Sequence, residues 1–182
     1  MGKRVFDKAD FYLRRGDRMR LGRLLRKHPY LLNSHNSMLV YCAVSIHRRM
    51  LPWLLAQGVH PDCNMHSGDN TPLMHAAAEG QLEEMRLLLD HGADPNARNE
   101  NNELPLGYAC SYEQWEAAEL LVKRGADVNG IEREGMTHLD WTTLCNRERG
   151  IQTLRALGGL PSDELNQHRP VTMPSTAAAE NS

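Results

Sequence analysis

The sequence repeats itself with a fixed period of 33 residues. The triplet that opens each unit stands at three positions along the chain: Thr71-Pro72-Leu73, Leu104-Pro105-Leu106 and Thr137-His138-Leu139. A glycine-led motif later in the unit keeps the same interval: Gly92-Ala93-Asp94, Gly125-Ala126-Asp127 and Gly158-Gly159. A period of this length indicates stacked structural units, none of which can bury its apolar face alone. The chain is therefore expected to form a solenoid.

Each unit is predicted to contain two helices. Thr71 is suited to cap the first helix, and Pro72 fits the first helical position, where no N–H is needed. Gly80 interrupts the chain, and apolar residues then recur at helical spacing: Leu82, Met85, Leu88 and Leu89. Gly92 is suited to the left-handed residue that ends a helix.

The period, the T-P-L triplet and the G-A-D-x-N motif resemble the ankyrin repeat. The resemblance is closest over residues 68–129 and continues in phase to Leu160. Residues 16–34 resemble a divergent N-terminal capping unit. The resemblance implies an all-α ankyrin-repeat solenoid of helix-turn-helix units joined by short β-hairpin-like loops.

The period also predicts the domain organisation. We expect one ankyrin-repeat domain over residues 1–161, with a cap at 1–33 and repeats at about 34–66, 67–99, 100–132 and 133–161. Residues 162–182 contain two prolines and few large apolar side chains, so this tail is expected to be disordered. The tail is either inert or carries a short linear motif.

Departures from the family pattern gather in the third repeat. The family usually places a histidine after T-P-L, and that slot is filled here by Tyr41, Met74, Gly107 and Asp140 in successive repeats. Glu113 stands where a glycine usually separates the two helices, and Trp115 stands in place of a leucine. We expect the repeat at 100–132 to be locally unusual.

The sequence predicts neither an enzyme nor a cofactor. It contains no G-x-S-x-G, no Gly-rich phosphate loop and no H-E-x-x-H. His60, Asp62, Cys63 and His66 are metal-capable, but their spacing matches no established ligand pattern. We therefore expect no catalytic residues, no metal site and no cofactor.

Cysteine usage and hydropathy predict a cytoplasmic protein. The four cysteines show no C-x-x-C spacing and are expected to be buried free thiols, which is typical of a reducing compartment. No run of 18 apolar residues is present, so no membrane span is expected. The segment MGKRVFDKAD lacks the apolar region of a secretory signal.

Charge divides the chain into two parts. Residues 1–57 contain twelve lysines and arginines against three acidic residues, and residues 69–134 contain fourteen acidic residues against five basic ones. The basic part admits three interpretations: a solvated outer face of the cap, a surface for an acidic protein or anionic lipid, or a nucleic-acid surface. No aromatic interleaving accompanies it, which disfavours nucleic acid.

The resemblance also implies where a partner would bind, because ankyrin partners usually lie against the hairpin tips and the inner short helices. Carried over slot by slot, the expected partner-binding residues are Ile46, His66, Asn70, Glu79, Glu100, Asn101, Glu103, Ser111, Tyr112, Arg133 and Met136. Tyr112 is the candidate anchor, or it lies along the neighbouring repeat. Glu100, Glu103 and Glu134 would surround it with negative charge and favour a basic partner.

The sequence thus predicts a non-catalytic module that binds a protein partner through its concave face. Occupying the partner's active or docking surface would make it an inhibitor or a neutralising partner, as immunity proteins are. Bridging two partners would make it an adaptor or scaffold, and secreted bacterial effectors of this kind are also known. Nucleic-acid or anionic-surface binding through the basic cap stays an alternative.

Overall fold

The computed structural model describes residues 2–32, 38–45, 47–62, 70–132 and 135–167. In chain order its helices are α1 (Gly2–Arg14), α2 (Arg18–Lys27), α3 (Met38–Ser45), α4 (Leu51–Ala56), α5 (Pro72–Ala78), α6 (Leu82–Asp90), α7 (Pro105–Ser111), α8 (Trp115–Lys123), α9 (His138–Leu144), α10 (Glu148–Ala156) and α11 (Ser162–Gln167). Single 3-10 turns lie at Pro29–Leu31 and Arg48–Met50.

The helices form two layers. The inner layer stacks α1, α3, α5, α7 and α9 in sequence, and the outer layer stacks α4, α6, α8 and α10, each packed against the inner helix that precedes it in the chain. The described residues contain no β-strand, and a single bridge joins Ile131 to Thr137 ahead of α9. The predicted all-α solenoid is confirmed.

The local signals act as the sequence predicted. The Thr71 hydroxyl accepts from the Met74 amide, and Pro72 occupies the first turn of α5. Met85 and Leu88 of α6 are fully buried. Burial of such aliphatic side chains across every interface between units provides the main stabilisation of the array.

The turn between the two helices of a unit places one residue in the left-handed region. Gly80 has φ +62°, Glu113 φ +58° and Asn146 φ +53°. A side chain is costly in this region because its Cβ crowds the following carbonyl, and Gly avoids that cost. The unusual third repeat therefore keeps the backbone of its neighbours with a less suitable residue.

A ladder of side chains holds consecutive units in register. The Asp62 carboxylate accepts from the Asp94 amide at 2.8 Å, Asn96 Oδ1 from the Asp127 amide at 2.8 Å, and Asn129 Oδ1 from the Leu160 amide at 2.7 Å. Asn96 Nδ2 also donates to the Gly125 carbonyl at 2.9 Å. The last residue of each G-A-D-x-N motif thus bonds to the backbone of the next unit.

Two expectations need correction. The segment expected to be disordered begins at Ser162, but Ser162–Gln167 form α11, and the Ser162 amide donates to Asp140 Oδ2 at 3.1 Å. Residues 168–182 lie outside the described residues. Cys42 and Cys110 are buried as expected, whereas Cys145 is exposed because it follows the solvent-facing end of α9.

Membrane insertion finds no support in the described helices. None of them combines the length and the apolar character that crossing a bilayer requires.

Candidate functional site

Large apolar side chains are exposed on the inner face of the last two units. Tyr112, at the end of α7, is 60% exposed, and Trp141 and Leu144 of α9 are 46% and 70% exposed. Aromatic side chains that remain in solvent are the residues most enriched among the anchors of protein interfaces. The surface between α7 and α9 is therefore the candidate site.

Two of the inner helices, α5 and α9, begin with a reciprocal cap. In α5, Thr71 accepts from the Met74 amide while the Met74 sulfur accepts from the Thr71 amide. In α9, Thr137 accepts from the Asp140 amide, and Asp140 Oδ2 accepts from the Thr137 amide at 2.9 Å. This is the capping box, which satisfies two amides that the helix itself leaves unpaired.

The third unit builds this cap in another way. Leu104 stands at the capping position of α7 and Gly107 three residues later, so both side chains of the box are missing. Glu132, from the turn that leads to α9, fills the space: its Oε1 accepts from the Leu104 amide at 2.6 Å. A Cβ on Gly107 would collide with the Glu132 carboxylate. The glycine and the glutamate are therefore complementary.

A depression is lined by Gly107 and by the Glu132 side chain that packs on it, and we call it the Gly107 notch. It comprises a cleft of about 280 Å³ between α7 and α9 and a neighbouring one of about 250 Å³. Both are lined by Glu103, Gly107, Ser111 and Glu132. The aromatic residues at the two clefts are Tyr108, Tyr112 and Trp141.

The floor of the notch is neutral near pH 7. Burial raises the pKa of the Cys110 thiol to about 12 and lowers the pKa of the His138 imidazole to about 4. His138 is 3% exposed, and its Nε2 has no hydrogen-bond partner. The acidic side chains that line both clefts are Glu103 and Glu132, and Arg147 lies close by, since its Nη1 donates to the carbonyls of Cys110 and Ser111.

A hydrogen-bond network holds Glu103 at the rim. Its Oε2 accepts from Asn99 Nδ2 at 2.7 Å and lies 2.9 Å from the Tyr108 hydroxyl. The same hydroxyl lies 2.8 Å from Asn70 Oδ1, and it donates to one of these oxygens at a time. Burial, and then the bond to Glu103, raise the pKa of Tyr108 to about 12, so its hydroxyl stays a donor. The network joins the second repeat to the third and fixes the carboxylate.

The structure separates the predicted partner-binding residues into groups. The exposed ones are Glu79, Glu100, Asn101, Ser111 and Tyr112. The half-buried ones are Asn70, Glu103 and Met136. Outside the described residues lie Ile46, His66, Arg133 and Glu134, and so does Cys63 of the rejected metal cluster. The notch brings together Glu103, Ser111, Tyr112 and Met136, and a role for any of them in binding stays a prediction.

Trp141 and Glu132 contribute to the site but are absent from the predicted set. Trp141 stands 33 residues after Tyr108. The period therefore could have placed it on the same face of the next inner helix. Gly107 was visible as a departure from the family pattern. Its pairing with Glu132 was not, because the two are joined by packing of a turn against a helix.

The part of the chain that the structure describes contains no group of three or more His, Cys, Asp or Glu side chains placed to hold a metal ion. Carboxylates and aromatic rings are the groups that attract a cation, and both kinds line the notch: Glu103 and Glu132, Tyr112 and Trp141.

A family model described as ankyrin repeats in three copies matches residues 39–132, which is more than half of the sequence. The chain belongs to the ankyrin-repeat family. Ankyrin repeats are generally protein–protein interaction modules and are typically non-catalytic. Among curated proteins, no match is found.

The matched region ends at Glu132, so it includes only one side of the notch. The matched residues 39–132 run from the second residue of α3 to Glu132, whereas α9 and α10 lie beyond them. The ladder nevertheless continues, because Asn129 bonds to the Leu160 amide as Asn96 bonds to the Asp127 amide. These two helices therefore continue the stack by the same side-chain-to-backbone bond, and they carry Trp141.

Proposed function

We propose that this ankyrin-repeat protein holds a basic segment of a protein partner on the inner face of its last two units. A lysine or arginine side chain of the partner would enter the Gly107 notch, between the aromatic rings and the two carboxylates. The observation that carries the proposal is the exposure of Tyr112 and Trp141 at the edge of an acidic cleft.

Both kinds of interaction are needed in this proposal. Carboxylates at the site increase the rate of association with a basic partner, whereas aromatic contacts that become buried in the complex slow its dissociation. Tyr112 and Trp141 supply the apolar contact area, and Glu103 and Glu132 supply the negative electrostatic potential. Occupation of the partner's basic segment would block other contacts of that segment, so the protein would act as an inhibitor or neutralising partner without catalysis.

The test compares capture by matched variants. We expect Tyr112→Ala and Trp141→Ala to weaken partner binding roughly tenfold or more, as truncation of an interface anchor does. Tyr30→Ala is the control, because Tyr30 is also an exposed tyrosine, at 50%, but lies in the cap. Proteins retained by the wild type and by Tyr30→Ala but lost from both other variants are partners of the site. Equal capture by all four proteins would overturn the proposal.

A second measurement tests the charge. Glu103→Gln keeps an oxygen that can accept from Asn99 and Tyr108 but removes the negative charge. We expect weaker binding of the captured partner at low ionic strength and a smaller difference at high ionic strength, because salt screens exposed charges. An unchanged affinity at both ionic strengths would leave no role for a cationic segment. Capture of two partners at once would favour an adaptor.

A further inference from the structure

A second concave site lies at the other end of the molecule and is strongly basic. A groove of about 640 Å³ separates the turn between α1 and α2 from the 3-10 turn Arg48–Met50. The cationic side chains that line it are Arg14, Arg15, Arg18, Arg48 and Arg49, with His47 beside them. We call it the arginine groove. Its two walls come from consecutive units, so stacking of the cap on the next unit creates it.

Contacts within the protein hold several of these arginines in place. Arg14 Nε donates to Asp10 Oδ2 at 2.6 Å, and the Arg15 guanidinium lies 4.6 Å from the centre of the Phe11 ring. Arg18 Nη2 donates to the Arg49 carbonyl at 3.1 Å and so connects the two walls. A guanidinium has five N–H donors, and each of these contacts leaves others for a ligand. The groove is therefore partly organised before anything binds.

The groove keeps an excess of positive charge. In the described part of the chain, its arginines form ion pairs with Asp10 and with Glu84, which lies 3.7 Å from Arg48 Nε. Among the described residues, two of the five guanidinium groups of the groove thus form ion pairs with carboxylates, and a third carboxylate, Asp17 in the turn between α1 and α2, pairs with Arg20 of α2. Like charges held close together repel, and an anion that bridges them relieves this repulsion.

We propose that the arginine groove binds a compact ligand that carries two or more phosphate groups. A guanidinium group can donate two charge-assisted hydrogen bonds to the oxygens of one phosphate. Several guanidinium groups around one groove therefore favour a ligand with several phosphates. All five cations line one depression, whereas a nucleic-acid strand needs an extended basic track with aromatic stacking. This site lies on the turns of the first two units, so it is independent of the Gly107 notch.

Calorimetric titration with inorganic tripolyphosphate tests the proposal. We expect saturable binding with one site per chain. Arg15→Ala combined with Arg49→Ala should weaken it roughly tenfold or more, because two charge-assisted contacts are lost. Neither arginine forms an ion pair in the described residues, so no carboxylate is left unpaired. The control is Arg23→Ala combined with Arg26→Ala, which removes the same charge from exposed positions of α2 outside the groove.

Three outcomes would overturn the proposal. One is the absence of saturable tripolyphosphate binding by the wild type. Another is an equal loss in both double variants, which would make the effect one of net charge. The third is tighter binding of a single-stranded oligonucleotide that strengthens with its length. Melting temperatures of both variants, matched to the wild type, establish that the fold is intact.

A vesicle arm identifies the source of the phosphate groups. Co-sedimentation with phosphatidylcholine vesicles that contain phosphatidylinositol bisphosphate, reversed by tripolyphosphate, supports a membrane headgroup as the ligand. Tripolyphosphate binding without co-sedimentation supports a soluble one.

Discussion

Among the described residues with a left-handed backbone, Glu113 has the side chain that suits this conformation least, since the others are asparagines and glycines. Its φ of +58° lies in the left-handed region that Gly80 occupies in the preceding unit. The Glu113 carboxylate lies 3.4 Å from Arg147 Nε, and it is 60% exposed. An exposed ion pair of this kind contributes about 0–1 kcal/mol, which does not outweigh the backbone cost.

We therefore expect Glu113→Gly to be more stable than Glu113→Ala by about 1 kcal/mol, because both lose the ion pair and only glycine relieves the backbone. Urea unfolding of the two variants measures this difference directly. Equal stability of the two would show that the left-handed position carries no strain.

His138 makes the stability depend on pH. Burial is the main cause of its lowered pKa, the nearby charge of Arg98 lowers it further, and Asp127 opposes them. The folded imidazole titrates at about 4 and the ordinary value is 6.5, so the unfolded chain binds the additional proton between these values. The His138 contribution to stability is therefore complete above pH 6.5 and is lost as the pH falls towards 4.

We expect protonation of His138 in the unfolded chain to lower the free energy of unfolding by about 3 kcal/mol as the pH falls from 7 to 4. His138→Pro should remove that dependence. Proline fits because Pro72 and Pro105 occupy the same slot and Thr137 has the extended backbone that proline requires of the preceding residue. Chemical unfolding of both proteins across this pH range checks it, and parallel pH profiles would contradict it.

At the scale of elements, one large and one small residue set the contact of α8 with α10. Trp115 is 3% exposed, and a Cβ on Gly150 would collide with its ring and approach Thr142 Cγ2. The tryptophan that replaces a leucine in α8 is thus accommodated by a glycine in α10. Helices that approach closely in this way do not tolerate an added methyl group.

Gly150→Ala should destabilise the protein by roughly 1–3 kcal/mol, although alanine is the better helix former. Adding Trp115→Leu should recover part of this loss. The double variant should therefore be more stable than the sum of the two single changes predicts. The control is Gly22→Ala in α2, where the new Cβ would meet Trp53 at an ordinary 3.5 Å. Equal stability of Gly22→Ala and Gly150→Ala would contradict the claim that close contact with Trp115 excludes a larger residue at position 150.

At the scale of the whole molecule, stability depends on coupling between neighbouring units. Asn96 contributes two bonds to the following unit, to the Asp127 amide and the Gly125 carbonyl. Because a solenoid has only nearest-neighbour interfaces, a weakened interface in its middle lets the two sides open separately.

Asn96→Ala should lower the free energy of unfolding by roughly 1–3 kcal/mol, the net contribution of two hydrogen bonds. Native-state hydrogen exchange should show that α5 and α6 no longer open with the same free energy as α7 and α8. Asn101→Ala is the control, since Asn101 is exposed and outside the ladder. A uniform change across all helices would contradict the local role of Asn96.

The sequence predicted the array because its signals act locally. Thr71 caps its helix, and Gly80 and Gly92 adopt left-handed conformations that follow from one residue and its immediate neighbours. The shape of the site could not be predicted in the same way. It depends on Glu132 replacing the missing side chain of Gly107, which is a contact between a turn and a helix 25 residues apart in sequence.

The position of Glu132 also affects how long a complex would last. Its carboxylate already accepts from the Leu104 amide, so a cation that drew it away would leave that amide without an acceptor. Attraction would bring a basic segment in quickly, and the competing helix start would speed its release. In the proposed complex, residence times would therefore be shorter than the exposed aromatic area alone would give.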